Sequence, residues 1–325
     1  MCSKEISPKS FVLVAKLPQD SMQKSPQKRF SRFAWGVTLY NLAVVAWGAW
    51  VRVTGSGAGC GEHWPDCNGE IVPRDPSAET LVEFTHRATS GLALIAVVAL
   101  VIWAWRAFEK GHRVRKASAF ALIFILAEAL LGAGLVIFGL VGDNASPARA
   151  VVMSIHLVNT FLLLAGMALA AIWSTHEDSL DLKSPRIRWL WISCALIFAV
   201  GITGAIAALG DTLFPSKSLA EGLAADMNPT SHFLLRLRGL HPIVAVTCAI
   251  VLYLQAMRWP SKEGKRLQWL VIIQIVAGLV NLALLAPGWM QIIHLILSDL
   301  VWISFLSFGL RSLEQKTQGP EPAPA

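Results

Sequence analysis

Eight stretches of about 20 apolar residues, the length that crosses bilayer hydrocarbon as a helix, dominate this chain of 325 residues. They lie near 33–53, 83–105, 118–141, 149–173, 188–209, 236–257, 267–286 and 289–311. They predict an all-α membrane protein with eight transmembrane helices. Composition agrees: the chain is 54% hydrophobic and 15% charged, against about 45–50% and about 25% in soluble domains. The first 32 residues are polar and basic, and their apolar patch Phe11–Ala15 is too short for the core of a cleavable signal. The first span is therefore expected to serve as its own insertion signal.

Orientation follows from the Lys and Arg count on alternate sides. With the N-terminus inside, 21 of the 28 fall on the inner side. The outer side keeps Arg52, Arg74, Arg87, Arg149, Lys217, Arg236 and Arg238. Both termini are expected to face the cytoplasm. The net charge of +7 is then mostly topological and implies no nucleic-acid partner.

Four histidines stand near the outer ends of the even-numbered spans: His86 in Glu83-Phe84-Thr85-His86-Arg87, His156 in Ile155-His156-Leu157, His241 in Leu240-His241-Pro242 and His294 in Ile293-His294-Leu295. Ionisable groups inside a membrane are rare and usually functional. Imidazoles at one depth on neighbouring helices can hold haem iron from both sides, so His86 is expected to pair with His156 and His241 with His294. The bland alternative leaves each ring at the interface, its polar edge toward headgroup water. Each half of the chain carries histidine in its second and fourth spans, so the expected architecture is two pseudo-symmetric four-helix bundles. The division is a cytoplasmic tail (1–32), an N-terminal half (33–173), a linker (174–187), a C-terminal half (188–311) and a second tail (312–325).

Glu83 shares a helix face with His86, three residues on, whereas the matching position before His241 is Arg238. A carboxylate in one half only points to proton chemistry at the N-terminal site, unless Glu83 merely complements the positive end of its helix. Arg52, Arg87, Arg236 and Arg238 flank the sites and suit haem propionates, or else snorkel to the interface. Glu128 and Asp299, deeper in spans three and eight, are expected to be packing or proton-path groups. The first and third outer loops, Thr54–Thr80 and Asp211–Ser231, are long enough to roof two sites. Cys60 and Cys67 lie in the first, on the oxidising side, where a disulfide between them is expected, structural or redox-active. A metal site through Cys60, His63 and Cys67 lacks a fourth ligand. Cys194 and Cys248 lie in spans and Cys2 in the tail.

The Thr54-Gly55-Ser56-Gly57 to Cys60 loop, His63-Trp64-Pro65 with Cys67, and the four histidine motifs together resemble the haem A synthases of bacterial type, in their cysteine-bearing branch. The resemblance runs from about Trp35 to Arg311. It implies oxidation of the C8 methyl of haem O to the formyl of haem A, for assembly of haem-copper terminal oxidases in a bacterial inner membrane. It also implies that His86 and His156 host the substrate haem, that His241 and His294 bind haem b, and that Glu83 takes part in catalysis. Haem O synthase and the oxidase-assembly machinery are the expected partners, and a homo-oligomer is compatible with the sequence. Rival functions are a di-haem, quinol-linked cytochrome that leaves its haems unmodified, and a transporter whose histidines relay protons.

Overall fold

A computed structural model describes residues 19–176 and 179–314. Cys2, the patch Phe11–Ala15, Lys316 and the Pro-rich C-terminal stretch lie outside the described residues. Among the described residues the order is α1 (Gln19–Val53), a 3-10 turn (Ser56–Ala58), α2 (Ala78–Ala107), α3 (Arg113–Ile137), α4 (Pro147–Trp173), α5 (Arg186–Leu213), α6 (Leu219–Met227), α7 (Phe233–Arg238), α8 (Leu240–Arg258), α9 (Lys262–Ala283) and α10 (Gly288–Leu313). No strand forms there beyond two isolated bridges. Eight spans are long and apolar enough to cross a membrane, α7 and α8 together making the sixth. The all-α, eight-span expectation holds.

Local chemistry sets the helix starts. Ser77, Ser146 and Ser261 cap α2, α4 and α9, each hydroxyl accepting from the backbone N–H three residues on, at 3.2, 3.2 and 2.9 Å. Pro147, at the first position of α4, needs no N–H there. The Ser77 cap starts α2 five residues before the apolar run does, which sets Glu83 and His86 well inside the helix. Three further boundaries differ from the sequence expectation. Helix α1 begins at Gln19 rather than near 33, and Phe30, assigned to the tail, is fully buried with Phe108 and Trp103 at ring separations of 5.1 and 5.9 Å. The third outer loop contains α6, started by the Ser218 cap. The sixth span breaks at Gly239, because Pro242 offers no N–H to the carbonyl of Arg238 and its ring crowds it.

Within the N-terminal half α1 packs on α2, α2 on α3, α3 on α4 and α4 on α1; in the C-terminal half α5 packs on α8, α8 on α9, α9 on α10 and α10 on α5. Between the halves α4 meets α5 and α10, and α1 meets α10. Small residues permit close approach in a bilayer, and a Cβ on Gly166 of α4 would stand 2.8 Å from the backbone nitrogen of Ala121 on α3. The Trp302 indole donates to the Phe161 carbonyl at 2.7 Å, and Phe198 packs on both rings, tying α10, α4 and α5 together.

Candidate functional site

Each of the four histidines lies six to nine residues past the first residue of its span: Ala78 to His86, Pro147 to His156, Phe233 to His241, Gly288 to His294. At about 1.5 Å per residue that is about 9–14 Å from the end of the span. All four rings are half-buried. Each faces a glycine on the span before it. A Cβ built on Gly48, Gly204 or Gly278 would lie 3.0, 3.1 and 3.1 Å from Cε1 of His86, His241 and His294, and one on Gly132 would lie 4.0 Å from Nε2 of His156. The first three clefts are tighter than an ordinary side-chain contact. Sequence reasoning missed this set because glycine is frequent in transmembrane helices for other reasons.

In the C-terminal half the His241 and His294 rings stand 6.2 Å apart, centre to centre, with planes at 89°. Two imidazoles spanned by one metal ion need about this separation, given metal–nitrogen distances of about 2.0–2.1 Å in zinc sites. Nδ1 of His241 lies 3.4 Å from the Thr203 hydroxyl. On α9, the Gln274 amide nitrogen lies 3.3 Å from Nε2 of His294 and donates to the His294 carbonyl at 3.2 Å. Nδ1 of His294 is buried with no hydrogen-bond partner among the described residues.

In the N-terminal half His86 faces Gly48 and His156 faces Gly132, and the buried Nδ1 of His86 likewise has no partner among the described residues. Nδ1 of His156 meets Oε1 of Glu128 at 3.0 Å. That carboxylate also accepts from the Thr160 hydroxyl at 2.6 Å and from the Asn159 amide, which donates in turn to the Phe124 carbonyl at 2.8 Å. Glu128 is thus bound to a histidine of the site. Its place four residues before Gly132 puts it on the same helix face, but nothing in the sequence ties that face to His156.

Glu83 is buried, and both its oxygens are engaged. Oε1 accepts from Nε and Nη2 of Arg87 at 3.1 and 2.5 Å, and Oε2 accepts from the backbone N–H of Cys60 at 2.8 Å. Ser77, not Glu83, caps the helix. Arg87 also donates to the carbonyls of His63 and Asp66 at 2.7 and 2.6 Å, so the pair fastens the first outer loop to α2. The disulfide between Cys60 and Cys67 is present, with Cα atoms 4.5 Å apart. Its sulfurs are joined to each other, so the pair offers no thiolate with His63. A Cβ on Gly59 would meet the Glu79 backbone at 2.5 Å, which shows how closely the loop lies on the start of α2.

The other expected side chains are dispersed. Arg52 donates to the Ala208 carbonyl, the Thr212 hydroxyl and the Gln291 amide oxygen at 2.9, 2.5 and 2.9 Å, bridging α1 to α5 and α10. Arg238 is paired with Asp211 at 2.7 Å and Asp226 at 2.6 Å, and Arg236 is exposed. Asp299 is fully buried, its oxygens without a hydrogen-bond partner among the described residues. His112 and His232 cap α3 and α7, outside the histidine layer.

Among the described residues no group of three or more His, Cys, Asp or Glu side chains converges as a site for a free ion. Paired imidazoles suit a metal that brings its remaining ligands with it, as haem iron does. The buried unpartnered ring nitrogens, the glycine clefts and the His241–His294 spacing all fit that group.

The chain is similar over most of its length to known proteins. The family profile of COX15-CtaA, cytochrome oxidase assembly protein, matches residues 31–306. A Thermus thermophilus protein named protoheme IX farnesyltransferase is 47% identical over 304 residues, covering 90% of this chain and 50% of that protein. The chain therefore spans about half the length of this relative. The Heme A synthase of Halalkalibacterium halodurans is 30% identical over 252 residues, 75% of this chain and 80% of the relative. That of Alkalihalophilus pseudofirmus is 32% identical over 160 residues, 49% of this chain and 51% of the relative.

Proposed function

As the chain belongs to the COX15-CtaA family of cytochrome oxidase assembly proteins, we propose that it is a haem A synthase, an oxidoreductase that converts the C8 methyl of haem O to the formyl of haem A. The substrate is recognised in the N-terminal half, between His86 and His156. The C-terminal half holds haem b between His241 and His294. The observation that carries this reading is the facing pair His241 and His294, 6.2 Å apart, with a glycine cleft behind each ring. The name farnesyltransferase attaches to a relative of which the chain covers 50%, whereas the name Heme A synthase attaches to one of which it covers 80%. The second weighs more.

The two halves are read as pseudo-symmetric bundles. In support, α1, α2, α3 and α4 have the same neighbours among themselves as α5, α8, α9 and α10, and the α1–α10 and α4–α5 contacts exchange under that pairing. Bound haem supplies iron and its redox chemistry, and the chain positions it. The glycine clefts fix the planes of the imidazoles. The disulfide loop covers the N-terminal site and keeps water from it. Converting the methyl to the formyl takes up one oxygen atom, and with water as its source releases four protons and four electrons to an acceptor from outside the chain; Glu83, on the His86 face of α2, takes protons as hydrogens leave the methyl group, and Arg87 holds the carboxylate in place between transfers. Arg52, Arg87, Arg236 and Arg238 meet the haem propionates, the first, second and fourth sharing donors with partners already named; a guanidinium has five. The protein resides in a bacterial inner membrane with both termini cytoplasmic, and works beside haem O synthase and the terminal-oxidase assembly machinery.

Expressing the chain in cells that make haem O but no haem A, then identifying the extracted pigments by mass, tests the proposal. Haem A or a hydroxylated haem O is expected. Haem O and haem B alone, with the protein inserted, contradict it and are what a di-haem electron-transfer cytochrome would give.

A further inference from the structure

Glu128 and Gln274 occupy matching places in the two halves. Glu128 lies four residues before Gly132 on α3, and Gln274 four residues before Gly278 on α9. Residues at that spacing share a face, and each pair meets the histidine of the next helix. Glu128 reaches Nδ1 of His156 at 3.0 Å, and the Gln274 amide lies 3.3 Å from Nε2 of His294. The contacts use opposite ring nitrogens, and the chemistry differs: a carboxylate in one half, a neutral amide in the other.

We propose that this difference sets the two iron sites at different potentials, with Glu128 as a positioning residue that makes His156 the more electron-donating ligand. The inference rests on the reading of the histidines as haem ligands. A metal-bound histidine that donates its second N–H to a carboxylate is fixed in one tautomer and becomes a stronger base. A hydrogen bond to a carboxylate is roughly twice as strong as one between neutral groups. Greater donation from the ligand, with negative charge behind it, favours ferric over ferrous iron, because axial ligation and hydrogen bonding around it tune a haem's potential. The Glu128 carboxylate is also held in place by Thr160 and Asn159, so it stays on the ring. Gln274 brings no charge to His294. The N-terminal site therefore has the lower midpoint potential for the same haem.

The test uses the full chain, purified in detergent and loaded with haem b as the probe in both halves. His241→Ala leaves the N-terminal pair as the complete one, and His86→Ala leaves the C-terminal pair. In the first background Glu128→Gln should raise the midpoint potential. In the second Gln274→Glu should lower it. Neutralising one group and charging the other should move the potentials oppositely, which general damage to the fold would not do. Should Glu128→Gln fail to load haem, Gln274→Glu decides alone. If both sites load and neither potential moves, or either moves the other way, the role of Glu128 is overturned while the ligand assignment stands. If neither background binds haem, the ligand assignment falls and this inference with it.

Discussion

At the scale of single residues, Glu83 has two tasks that compete for the same oxygens. It anchors Arg87 and the Cys60 N–H, and it is the proposed proton acceptor. Replacement by glutamine keeps an acceptor for the Cys60 N–H but removes the charge, so Glu83→Gln should lower the haem A to haem O ratio in cells by about 10²-fold or more, the usual scale for losing an acid–base group. Glu83→Asp should be partly active, and Glu83→Ala should accumulate haem O or its hydroxylated form. A near-normal ratio in Glu83→Gln would leave Glu83 as a loop anchor only. Gly278 tests the clefts: alanine there puts a Cβ 3.1 Å from Cε1 of His294. Gly278→Ala should shift the absorbance of haem b or reduce its content, with a stability loss of about 1–3 kcal/mol; an unchanged spectrum would contradict the cleft role. Glu83 and the histidines were legible because ionisable groups stand out against apolar sequence. Glu128 stood out equally, but its partner lies on another helix, 28 positions away at His156, and no periodicity reveals that.

At the scale of elements, the eight spans were legible because each carries a long, predominantly apolar stretch with few charged residues. Short serine-capped pieces were not: Ala78-Glu79-Thr80 extends α2 and Leu219–Met227 forms α6, neither marked by a long apolar run. The first outer loop is held in three ways, by the disulfide, by Glu83 and by Arg87. Closing so short a loop contributes about 2–3 kcal/mol through the unfolded chain. The double variant Cys60→Ser with Cys67→Ser should therefore lower the thermal unfolding temperature modestly while Glu83 and Arg87 keep the loop on α2. Thermal unfolding and haem b content together check this. Loss of haem b from the C-terminal half would contradict it.

At the scale of the molecule, the halves are joined by α4, α5, α1 and α10, with Arg52 bridging three of these helices and the Phe161–Trp302 bond joining two. The repeat of histidine positions was visible in sequence, but the way the halves meet was not, since aromatic and small residues occur on every span. One pair of histidines per half is the central claim, and haem bound per chain tests it most directly. It should be measured by spectrum and by mass of extracted pigment in His86→Ala, His156→Ala, His241→Ala and His294→Ala. Each variant should lose the haem of its own half and keep that of the other, so that His241→Ala or His294→Ala inserts normally without stably bound haem b. An unaltered low-spin spectrum with full haem content in both His241→Ala and His294→Ala would contradict the account.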